Sequence, residues 1–98
     1  MTYSRLNPSL VVGTVDVTIP PVAKQVNATN CTADCSKAGY TALGVIGWNM
    51  ASGTRQNFLN VWRCFLSNAT TVRLDVCNTH ATDTAEATCT VYVLYRSN

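Results

Sequence analysis

Charge is the scarcest property of this sequence. Seven Lys and Arg and five Asp and Glu make up 12% of its 98 residues, against roughly 25% in an ordinary globular chain. The basic residues Arg5, Lys24, Lys37, Arg55, Arg63, Arg73 and Arg96 stand singly along the chain. Nucleic-acid binding needs such groups gathered on one face with aromatics to stack on, so their scatter argues against a nucleic-acid partner. Helix formers are also few, with one Glu, two Lys and two Gln. No apolar run approaches the roughly 20 residues of a membrane-spanning helix, which argues against a membrane role. The opening residues Met1–Gly13 carry only Arg5 and a short apolar patch. That is unlike a secretory leader, and the expectation is synthesis in a cytoplasm.

Catalytic raw material is equally thin. Acyl or phosphoryl chemistry needs a nucleophile, a base and an orienting group within reach of one another. One His and five acids offer no recognisable constellation, so the chain is expected not to be an enzyme and to need no cofactor. The odd count of five cysteines, Cys31, Cys35, Cys64, Cys77 and Cys89, opposes a closed disulfide framework. Cys31 and Cys35 form a C-x3-C in an expected turn. A zinc site wants about four ligands, and His80 alone stands beside the cysteines without finger spacing, so no metal is expected.

What the chain has in quantity is Thr, its commonest residue, together with Val and Tyr, all of which suit strands. Leu10–Ile19 alternates, with Val11, Val15, Val17 and Ile19 on one face and Thr14, Asp16 and Thr18 on the other. Pro20-Pro21 should end it and turn it into a weaker strand, Lys24–Thr32, with Val26 and Ala28 inward, as an antiparallel hairpin. Cys31–Ala38 reads as a loop. Leu43–Met50 is expected to be the central strand, with Gly44 and Gly47 marking a bulge or the close approach of another backbone. Ala51–Thr54 reads as a turn, with Gly53 free to take a positive φ. Phe58–Leu66 carries apolar side chains on both faces. Thr70–Cys77 turns Val72, Leu74 and Val76 inward and Arg73 and Asp75 outward, and Asn78–Ala85 is a polar loop. Glu86–Tyr95 sets Cys89, Val91, Val93 and Tyr95 against Thr88, Thr90, Tyr92 and Leu94. About six strands with regular turns predict one all-β domain over residues 10–98, a small antiparallel β-sandwich or jelly-roll-like fold, behind an N-terminal tail or anchor at residues 1–9.

Gly39–Asn49, GYTALGVIGWN, resembles a segment of small C-terminal head domains in tailed-phage fibre and virion proteins, especially of phages and prophages of gut Firmicutes. The similarity continues through Phe58–Leu66 and Thr70–Asn78 and closes on Val91-Tyr92-Val93-Leu94-Tyr95. The resemblance implies a β-sandwich head that trimerises, sits exposed on a virion and carries no catalytic residues. Two departures stand out. The chain has five cysteines, and with Met1 as its start no long shaft is expected upstream of the domain. A short protein held to other virion proteins through its N-terminal tail fits that start.

The expected function is therefore a phage virion structural protein, fibre-head-like, displayed on the particle and binding a host-surface glycan or protein. A capsid or tail decoration protein and a bacterial surface adhesin are the alternatives. Sandwich loops gather at the ends of the sheets and often carry recognition. The expected binding residues are Asn49, Arg55, Gln56, Asn57, His80 and Asp83. More apolar strand surface is present than a small monomer readily buries. That predicts a homo-oligomer, with a trimer favoured, through Phe58, Val61, Trp62, Phe65, Tyr92 and Leu94.

Overall fold

The computed structural model describes residues 9–98, so the expected anchor lies outside the described residues except for Ser9. Six strands are formed: β1 (Leu10–Val22), β2 (Asn27–Asp34), β3 (Tyr40–Thr54), β4 (Leu59–Asn68), β5 (Thr71–Asn78) and β6 (Ala85–Ser97). A single 3₁₀ turn, Gln56–Phe58, precedes β4. The strands make two antiparallel three-stranded sheets, ordered β1-β6-β3 and β2-β5-β4. The expected all-β sandwich is the fold.

Its core comes from the two central strands. Val72, Leu74 and Val76 of β5 face Cys89, Val91 and Val93 of β6, all fully buried, and Val17 and Ile19 of β1 close one side. Each large aliphatic buried this way stabilises the fold by about 1.5–3 kcal/mol relative to an exposed position. The alternation in β1, β5 and β6 chose these residues correctly, because a strand buried on one face repeats every two residues. Tyr95 ends the inward row of β6. Its hydroxyl donates to the Cys35 carbonyl at 2.6 Å, and burial pushes its pKa up. Gly13 makes room for the ring, since a Cβ there would sit 2.8 Å from Tyr95 Cε2.

Several sequence expectations are corrected. Leu43–Met50 is not central: it belongs to the longer β3, an edge strand, and β6 is the centre of that sheet. Gly44 and Gly47 do sit at bulges, where the register against β6 shifts. β1 and β2 form no hairpin, because they lie in different sheets. Pro20 and Pro21 stay inside β1, at its own register shift. An edge strand tolerates their missing N–H groups. β2 runs on to Asp34, and Cys31 and Cys35 are buried. Val26 lies outside β2 and is exposed, whereas Ala28 packs on the core. The expected turn at Ala51–Thr54 is strand, but Gly53 does take a positive φ, at 158°, and Arg55 follows in the left-handed conformation, at 55°. Gly53 is needed for a second reason: a Cβ there would run into the Glu86 carbonyl oxygen. In β4 a bulge between Val61 and Arg63 switches the inward face. Leu59 and Val61 face the core before it, and Cys64 and Leu66 after it.

Candidate binding loops and the two outer faces

Two connections meet at one end of the sandwich. Arg55, in the left-handed conformation, opens the 3₁₀ turn, and the Phe58 N–H donates back to its carbonyl at 3.0 Å. Its guanidinium reaches across to the β5–β6 loop. Nη1 donates to the Thr84 carbonyl at 3.0 Å, and Nη2 lies 3.5 Å from Asp83 Oδ2. Both side chains of that ion pair are well exposed, so its net worth is small.

Asn78 holds the loop from below. Fully buried at the end of β5, it donates through Nδ2 to the carbonyls of Val22 at 2.9 Å and Asp83 at 3.0 Å. Its Oδ1 accepts the His80 N–H at 2.9 Å. His80 Nδ1 in turn accepts the backbone N–H groups of Thr82 at 3.1 Å and Asp83 at 3.0 Å. An Nδ1 that accepts leaves the proton of the neutral ring on Nε2. The ring packs edge-on against Phe58, centroids 4.5 Å apart. Thr79 ties the turn down, its N–H and hydroxyl each donating to the Phe58 carbonyl at 2.9 Å.

Four of the six expected binding residues thus gather here or beside the cluster: Arg55, Gln56, His80 and Asp83. Asn57 follows in the same turn and is exposed. Asn49 does not join them. It lies in β3, paired with Thr90. What the arrangement offers chemically is fixed hydrogen-bond donors and carbonyl acceptors, a set that suits hydroxyl-rich or amide-bearing ligands. Asn78 and Phe58 were missed as parts of this site. The sequence carries no signal for them, since their roles depend on contacts with Val22 and His80 from distant segments. Two open hollows, of about 420 and 300 Å³, flank Cys35–Lys37 and involve none of the expected binding residues.

The six expected interface residues are divided. Tyr92 and Leu94 lie on the outer face of the β1-β6-β3 sheet, opposite the buried row of β6. Val61 packs inward, and Phe58 belongs to the loop end. Phe65 lies against Arg63, 4.2 Å from its ring centroid, and against Arg73 at 5.5 Å. Trp62 stands half-exposed at the β4 bulge.

Asp75, expected to point to solvent, is fully covered. Arg73 Nε and Nη2 donate to its two oxygens at 3.0 and 3.2 Å, and the Asn30 N–H donates to Oδ1 at 3.1 Å. Chiefly through the Arg73 hydrogen bonds, with help from the Asn30 N–H and the charges of Arg73 and Arg63, its pKa is held below the usual carboxylate value. All five cysteines are free thiols. Burial pushes Cys64 up to about 11, so it stays protonated and unreactive at neutral pH. Among the described residues no three His, Cys, Asp or Glu side chains gather as a metal site.

Comparison with family models, curated proteins and solved structures returned no match.

Proposed function

We propose that this chain is a non-enzymatic structural component of a phage virion, displayed on the particle as a self-associating β-sandwich. The observation that carries the reading is the placement of its large apolar side chains. Val12, Leu43, Ile46, Trp48, Trp62 and Tyr92 are all more than a third exposed on a domain whose core is otherwise complete. Surfaces of this kind mark sites of association. The resemblance of Gly39–Asn49 and Val91–Tyr95 to phage fibre and virion heads supplies the setting. The loop end built on Arg55, His80 and Asp83 is the surface offered to a host glycan or protein. A decoration protein without receptor binding is the second reading, favoured by the engagement of Arg55 with its own loop.

Density-purified particles from a producing culture test the assignment. The chain should co-purify with them in fixed stoichiometry. Its complete recovery in the particle-free fraction would overturn the assignment. Between the two readings, Gln56→Ala/Asn57→Ala is the better probe than a change at Arg55, because it leaves the loop ties intact. Lost adsorption to host cells supports receptor binding, and unchanged adsorption supports decoration.

A further inference from the structure

Gly44 and Gly47 sit at bulges of β3, but the extra residues there are Leu43 and Ile46 and the bulges alone do not require glycine. Neither needs a positive φ. A Cβ at Gly44 would meet nothing within 4 Å, and one at Gly47 would make an ordinary contact with the Tyr92 ring at 3.8 Å. Both lie on the outer face of the β1-β6-β3 sheet, since they pair with the outward residues Leu94 and Tyr92. Glycine within a strand that has room for a side chain points to another molecule coming close.

The register maps what surrounds them. One row across the sheet runs Val12, Leu94, Gly44, with Leu43 at the bulge. The next runs Thr14, Tyr92, Gly47, with Ile46 at the bulge. Val12, Leu43 and Ile46 are 55%, 48% and 58% exposed. Moving outward from these two rows, one end carries Arg96 between Leu10 and Thr41, and the other carries Asp16, Thr90 and Asn49. Neither Arg96 nor Asp16 makes an ion pair with another described residue. The face therefore has an apolar, glycine-flattened centre with opposite charges at its two ends.

We infer that this face binds the same face of a second copy about a two-fold axis. The axis lies in the plane of the sheet, crosses the strands and passes between the Leu94 and Tyr92 rows. Such an axis lays Leu94 of one copy over Tyr92 of the other and brings Arg96 over the Thr90–Asp16 pair, twice by symmetry. A two-fold axis along the strands would instead stack Arg96 on Arg96, and like charges facing each other oppose that arrangement. The apolar centre and polar ends reproduce the anatomy of a specific interface. The axis between the Leu94 and Tyr92 rows superposes about nine residues along β6, about 30 Å, by about 14 Å across three strands, roughly 400 Å² before side-chain relief. The outward side chains supply the rest of the roughly 800 Å² per partner of a standard interface.

The inference rests on the self-association reading and adds its surface and symmetry. Analytical ultracentrifugation of the full chain and its variants tests it. The wild-type chain should form a dimer. Gly44→Gln should leave the fold and the monomer's melting unchanged yet weaken dimerisation by about tenfold or more, because the new side chain stands where the partner approaches. Asp16→Lys and Arg96→Glu should each weaken it by about tenfold, and the double variant should recover most of the loss. A wild-type chain that is monomeric in solution, or a trimer, overturns the two-fold pairing; co-purification with particles would still stand as the separate test of the virion reading. A dimer indifferent to Gly44→Gln and to the charge exchange overturns the face while leaving self-association in place.

Discussion

The central strands and the edge strands of this sandwich are built differently. β5 and β6 run without an extra residue. Every register shift places its extra residue on an edge: one in β1, one in β2, three in β3 and two in β4. The inward residues of the central strands are buried almost completely, whereas the edges carry Val12, Leu43, Ile46, Trp48 and Trp62 in the open. A central strand must satisfy two ladders and fill a close-packed layer, so an inserted residue disrupts both neighbours. An edge strand has one free side, where a bulge costs less and deters pairing with stray strands. The contrast places the packed core in the inward rows of the centre and leaves most of the exposed apolar side chains on the periphery.

The sharpest way to break that division is at the middle of β5. Leu74→Ala should destabilise the domain by about 2–5 kcal/mol in urea unfolding, as a buried large-to-small change does. A loss near that of an edge substitution would mean the two sheets do not share one packed core. Asn78→Ala comes next, removing a buried side chain with three hydrogen bonds, and should cost about 1–3 kcal/mol. It should also speed amide exchange at Thr82 and Asp83, and unchanged exchange would show that His80 holds the loop alone.

Asp75 sharpens the comparison by pH. Its folded pKa lies below the value of about 3.9 in an unfolded chain. The stability it contributes is therefore fully present above that value and is lost as pH falls below about 4. Asp75→Asn should cost about 1–2 kcal/mol at neutral pH and should flatten the acid limb of a melting curve. An unchanged acid limb would place the acid sensitivity elsewhere. The smallest effect belongs to the edge. Leu43→Ser should change monomer stability by no more than about 0.5 kcal/mol. A larger loss, measured by dilute thermal melting, would make Leu43 part of the core.

Much of this architecture was legible in the residues. The inward sets of β1, β5 and β6 follow from alternation. The bulges at Gly44 and Gly47 were legible from the glycines themselves, since Gly inside a strand often marks a bulge or a close approach. The loop end was half legible. Arg55, Gln56, His80 and Asp83 were picked out as polar loop residues, but the buried Asn78 that anchors them looked like any strand-end polar group. Which residues of β4 turn inward was not legible, because the bulge between Val61 and Arg63 shifts the alternation by one residue, and a period-two pattern carries no mark of where it slips.

The amino-acid order by itself determined which segments are extended and which side of the central strands is apolar, because those properties are local and repeat every two residues. Which strand became central, which sheet each joined and which apolar face was left bare were decided only in three dimensions. Strand pairing is a choice among partners far apart in the chain. That choice is settled when Val72, Leu74 and Val76 find Cys89, Val91 and Val93 across the core, a contact no short stretch of sequence contains.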